Sequence, residues 1–119
     1  MTFPAWSPDG RRIAFQREKD GPREIWAVPA EGGAAAALSK SALELSHPEW
    51  CPSDPDTILV VSEHKNLATV SAATGVVTPV THYDDSTIYV DYPSWSPDGR
   101  KIYFTMIWTT SPREMPDEV

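Results

Sequence analysis

A chain of 119 residues holds one domain at most, and 40% hydrophobic content with five tryptophans argues for a folded, β-rich body over a disordered segment. With 17 acidic against 10 basic residues, the net charge is −7, which speaks against a nucleic-acid partner, because tracking phosphates needs clustered Lys and Arg. No apolar run approaches the ~20 residues of a membrane span, and residues 1–10 lack the charged-then-apolar order of a signal peptide.

In chain order, the first extended segment is Phe3 to Trp6, and Ser7-Pro8-Asp9-Gly10 turns it. Pro8 presets φ at the second turn position, Asp9 suits the third, and Gly10 accepts positive φ at the fourth. Ile13-Ala14-Phe15 predicts a second strand, Asp20-Gly21-Pro22 a turn, and Glu24 to Val28 a third strand. Glu31-Gly32-Gly33 then leads into a weaker, alanine-rich outer strand ending near Leu38-Ser39. Only Ala34 to Leu45 has a helix-friendly composition, and it is poorly capped.

The order starts again at His47 to Cys51. Here the turn, Pro52-Ser53-Asp54-Pro55-Asp56, lacks glycine and is one residue longer than its counterparts. Ile58-Leu59-Val60-Val61 follows, then His64-Lys65-Asn66 leads into Leu67 to Ser71, and Thr74-Gly75 into Val76 to Thr81. Pro79 is acceptable there because an outermost strand has one unpaired edge. A third round runs from Tyr92 to Trp95, turns at Ser96-Pro97-Asp98-Gly99, and continues as Ile102-Tyr103-Phe104. Beyond it, Thr109 to Pro116 carries two prolines and no apolar strand. The central runs are apolar on both faces, which suits a strand whose sheet lies between two others.

One motif is therefore written three times, as Pro4 to Gly10, as the degenerate Pro48 to Asp54, and as Pro93 to Gly99. Its tryptophans, Trp6, Trp50 and Trp95, stand 44 and 45 positions apart. Steps in the forties with strand-type sequence predict β-propeller blades, each a four-stranded antiparallel meander. The expected class is all-β, with blades at about 3–40 and 46–82, a partial blade at 88–108 and an irregular tail at 109–119. Propellers close with about 4 to 8 blades, so the ring is incomplete. The chain is expected to be a fragment of a longer protein, or else to complete a ring by self-association.

The string Pro-x-Trp-Ser-Pro-Asp-Gly-Arg-x-Ile-x-Phe, present from Pro4 and from Pro93, resembles the WD-like repeat of TolB-type propellers. That resemblance implies a closed propeller, commonly of six or more blades, exported to the periplasm and used for protein contacts. Similar repeats build the non-catalytic propeller of prolyl oligopeptidase-type serine peptidases. His47-Pro48, Pro52, Asp54-Pro55-Asp56 and Glu63-His64 also resemble oligogalacturonate lyase, a propeller enzyme that uses a divalent metal.

The residues singled out are structural. Trp6, Trp50 and Trp95 are expected at matching depths on the innermost strands, packing blade on blade. Pro8, Asp9, Gly10, Pro97, Asp98 and Gly99 shape the turns, and Trp26 reads as core, whereas burial is not assigned to Trp108. Cys51, the single cysteine, reads as a buried structural thiol that can make no internal disulfide. No Gly-x-Ser-x-Gly elbow is present, and the hydroxyls of Ser7 and Ser96 are expected to bond to their turns. His47, His64 and His82 are scattered, and Asp84-Asp85 with Asp91 reads as a solvated connection. No catalytic, metal or cofactor residues are assigned. The expected role is a non-catalytic scaffold for a protein partner. The alternatives are a piece of a peptidase's substrate-gating propeller and a piece of a lyase.

Overall fold

The computed structural model describes residues 2–18 and 21–108. Ten strands follow one another: β1 (Thr2–Trp6), β2 (Arg12–Arg17), β3 (Glu24–Pro29), β4 (Ala36–Ala37), β5 (Leu45–Trp50), β6 (Thr57–Ser62), β7 (Asn66–Ser71), β8 (Val77–Pro79), β9 (Ile88–Trp95) and β10 (Ile102–Trp108). They form three antiparallel sheets in which spatial order equals chain order: β1-β2-β3-β4, β5-β6-β7-β8, and the pair β9-β10. Residues 34–45 form the short strand β4, a connection and the first residue of β5 rather than a helix. Strand β10 runs on to Trp108, further than the apolar run Ile102-Tyr103-Phe104 suggests, and Trp108 is exposed. Asp20 and the segment 109–119 lie outside the described residues.

The middle sheet makes the core, and its alternation explains why β6 is apolar throughout. Ile58 and Val60 pack toward the first sheet with Ala14, Ile25, Leu45, Trp50, Ala68 and Val70. Leu59 and Val61 pack toward the third with Leu67, Val90, Trp95, Ile102 and Phe104. A period-2 strand with both faces buried needs an apolar residue at every position.

Trp6, Trp50 and Trp95 end the innermost strand of each sheet, but their depths differ. Trp50 is 6% exposed against the first sheet, Trp95 is half-buried against the second, and Trp6 is 59% exposed. Trp50 and Trp95 each pack on the preceding sheet, and among the described residues no sheet precedes the first to cover Trp6. Phe15, on the outer side of the first sheet, is only 5% exposed and pairs with Trp26 across the β2-β3 ladder. Trp26 itself is half-buried beneath the Arg17 guanidinium, 4.4 Å from its ring.

The motif turns are hydrogen-bonded units. Ser7 Oγ donates to Asp9 Oδ1 at 2.6 Å and accepts from the Arg12 amide at 3.0 Å. Ser96 repeats this with Asp98 at 2.6 Å and Lys101 at 2.9 Å. Gly10 and Gly99 have φ of 73° and 75°, in the region that favours glycine. The middle turn has no glycine and Cys51 in place of the serine. There Asp54 accepts from the Asp56 amide at 2.9 Å and Thr57 Oγ1 at 2.7 Å. Asp56 accepts from Ser71 Oγ and the Ala73 amide, tying the longer loop to the β7-β8 turn.

Candidate functional site

Each innermost strand carries the same irregularity. The residue before the motif proline is left-handed in all three: Phe3 at φ 52°, His47 at 54° and Tyr92 at 52°. This is unfavourable twice over, since Cβ crowds the backbone at positive φ and a following proline favours extended conformations. In every case the ladder register slips at that point, between Thr2 and Ala5, Ser46 and Glu49, and opposite Tyr103 to Thr105. A bulge re-aims the side chain it displaces. Here three re-aimed rings converge on one hollow of about 400 Å³, lined by Phe3, His47, Glu49, Tyr92, Pro93 and Ser94.

Neighbouring groups hold the displaced main chain. The His47 amide donates to Gln16 Oε1 of the first sheet at 2.9 Å, and the Tyr92 amide to Asp91 Oδ1 at 2.9 Å. The His47 ring lies 4.3 Å from that of Phe3, tilted by 41°. Its Nδ1 is 3.0 Å from Ser46 Oγ and its Nε2 is 3.4 Å from Asp91 Oδ1. A serine, a histidine and an aspartate thus stand in line, but Ser46 is only 2% exposed. A nucleophile must reach its substrate, so the contacts fix the imidazole instead of activating a hydroxyl.

Glu49 brings a carboxylate to the site. Its main-chain oxygen accepts from Trp95 Nε1 at 2.8 Å. Its half-buried carboxylate has no hydrogen-bond or ion-pair partner among the described residues, and burial raises its pKa above the usual glutamate value. Tyr92 is 70% exposed, so the hollow opens to solvent along one aromatic wall.

Of the other candidates, His64 shares with His47 and Asp91 a second hollow of about 190 Å³. His64 lies 3.2 Å from Glu44, and His82 lines a separate groove of about 510 Å³ with Lys40, Leu43 and Val76. Asp85 accepts from the Thr87 amide and hydroxyl, whereas Asp91 turns to His47. Among the described residues no three His, Cys, Asp or Glu side chains are grouped to hold a metal ion. Cys51 is buried, 3.4 Å from Ser53 Oγ. The sequence alone marks His47 as one of three scattered histidines and as part of the lyase resemblance, and does not single out Phe3, Glu49 or Tyr92 as site residues. The available signal was the large ring before proline in all three copies.

No protein-family model matches the chain. TolB from Acinetobacter baumannii superposes with a TM-score of 0.73 at 20% identity, over 92% of this chain and 27% of that one. Putative TolB from Agrobacterium tumefaciens gives 0.69 at 24% identity, over 91% and 42%. The sheets are blades of a TolB-like β-propeller. An oligogalacturonate lyase in complex with manganese shares the fold, with a TM-score of 0.66 at 20% identity over 82% of this chain and 26% of that one. In sequence, the chain is 40% identical over 60 residues to the uncharacterized peptidase YuxL of Bacillus subtilis, covering 50% of this chain and 9% of YuxL. The chain therefore spans less than half the length of each of these proteins, and within the described residues no closed ring forms. Among the described residues no helix is long and apolar enough to cross a membrane.

Proposed function

We propose that these TolB-like blades serve a non-catalytic propeller that holds another polypeptide against the inner ends of its blades. The observation that carries the reading is the convergence of Phe3, His47 and Tyr92 on one open hollow through three matching bulges. Strained backbone of this kind costs about 1–3 kcal/mol per residue and clusters where a protein makes contacts. Support also comes from the polar groups: Ser7 and Ser96 are committed to their turns, and Ser46 is sealed. A periplasmic location goes with this reading, as for the TolB-type resemblance. The deciding experiment incubates the protein with peptide and oligogalacturonide substrates beside its Ser46→Ala and His47→Ala variants. No turnover is expected, and turnover lost in either variant overturns the proposal.

A second reading rests on the YuxL similarity. The blades would then belong to the substrate-gating propeller of a serine peptidase, with the chemistry in another domain. An α/β-hydrolase region in the same reading frame selects this reading, and the hollow would then contact the peptide substrate on its way in.

A further inference from the structure

We infer that the hollow at the inner strands receives a positively charged side chain, an arginine before a lysine, from an extended polypeptide. The inference rests on the polypeptide-holding role proposed above and specifies what the site recognises. Two aromatic rings open to solvent, Phe3 and Tyr92, line the hollow with a carboxylate, Glu49, that has no cation partner among the described residues. Ring faces are negative and attract a guanidinium, which can stack flat on them while its fork of N–H groups meets a carboxylate. A second carboxylate, Asp91, stands beside the site and already faces the imidazole of His47. The chain uses the same chemistry internally, with Arg12 5.2 Å from the Trp50 ring and Arg17 4.4 Å from that of Trp26.

Charge complementarity singles out the occupant. No lysine or arginine forms an ion pair with Glu49 or Asp91 among the described residues, and the whole chain carries −7. A net negative surface raises the local concentration of cationic ligands and repels anionic ones. An acidic or purely apolar peptide would leave the half-buried carboxylate unpaired or repel it. Burial without a partner already holds the Glu49 carboxyl above its ordinary range, a cost that a cation seated beside it would relieve.

The test is a titration of the protein with four capped or free tripeptide amides, read by calorimetry and by amide NMR shifts. The probes are acetyl-Gly-Arg-Gly-amide, its lysine and citrulline counterparts, and Gly-Gly-Gly-amide with a free amino terminus. The arginine probe should bind most tightly, shift the amides of Tyr92 and Ser94, and lose about ten-fold in affinity as citrulline. Glu49→Gln should weaken the arginine probe by about ten-fold, and Tyr92→Ala by a similar factor, while Tyr92→Phe retains binding. Glu49→Gln is isosteric and removes a half-buried charge, and its melting curve, expected at or above that of the wild type, separates loss of binding from unfolding. Equal binding of arginine and citrulline, preference for the free amino terminus, no binding of the arginine probe, or an unchanged Glu49→Gln variant would each overturn the inference. A neutral peptide bound equally by wild type and Glu49→Gln would do so while leaving the polypeptide-holding role intact.

Discussion

Gly10 and Gly99 share a backbone conformation and differ in their surroundings. A Cβ on Gly10 would meet nothing within 4 Å, whereas one on Gly99 would collide with Ser53 Oγ and lie 3.1 Å from Cys51 Sγ in the neighbouring blade. Gly10→Ala should therefore cost about 1–2 kcal/mol, the strain of a left-handed alanine. Gly99→Ala should cost about 1–3 kcal/mol more, because the blade contact must also open. Equal losses in denaturant unfolding would refute the role of Gly99 as a contact between blades. Titration separates two carboxylates by sign. The Ser96 hydroxyl and the Arg100 amide lower the pKa of Asp98, so its contribution is present above the ordinary carboxylate range and lost as pH falls through its lowered folded value. Burial raises that of Glu49, so its charge is unfavourable at neutral pH and the penalty disappears as pH falls through the raised folded value. Asp98→Asn should lower the melting temperature at neutral pH and Glu49→Gln should raise it. Both differences should shrink in acid, and melting curves at the two pH values check the signs.

The bulged inner strands show how far element-level reading goes. The meander order was legible because turn chemistry and apolar runs alternate in Pro-Asp-Gly punctuation and Ile-x-Phe stretches. Positive φ at Gly10 and Gly99 followed from the same local rules. The left-handed turn at Phe3, His47 and Tyr92 was not legible, because large residues before proline ordinarily extend and only the sheet around them forces the exception. The depth of Trp6 was equally hidden, since burial of one blade's face depends on what the next supplies. Gln16 belongs to this class. It is buried on β2, reaches across to the second sheet and accepts the His47 amide that the bulge releases from its ladder. Gln16→Ala should leave that amide unpaired and cost about 1–3 kcal/mol. It should also disturb the hollow, so NMR shifts of His47 and Tyr92 should move in Gln16→Ala and stay in place in a surface control such as Arg11→Ala. Unchanged stability and unchanged shifts would show that the bulge holds itself.

At the scale of the molecule, the middle sheet shows what a blade needs and the outer two show what they lack. Trp50 is buried by the first sheet and Trp95 is covered by the second, where its indole N–H reaches the Glu49 carbonyl. Trp6 occupies the equivalent place on β1 with its ring largely in solvent. On the opposite flank, β10 forms the edge of a two-stranded sheet and presents Tyr103 and Trp108 to water. These flanks are unlike each other, so contact between them across copies is head-to-tail, closing a ring where the rotation allows and extending as a filament where it does not. Among the described residues β10 has one unpaired edge, and such an edge beside exposed aromatics favours association. The isolated 119 residues should therefore scatter light with an average mass above the 13.2 kDa of one chain, increasingly so as concentration rises. Trp6→Arg should reduce that mass toward the monomer without loss of strand content, because Trp6 lies outside both buried clusters. A monodisperse monomer with a single cooperative melt, at all concentrations and with Trp6 intact, would show that two full sheets and a hairpin stabilise themselves.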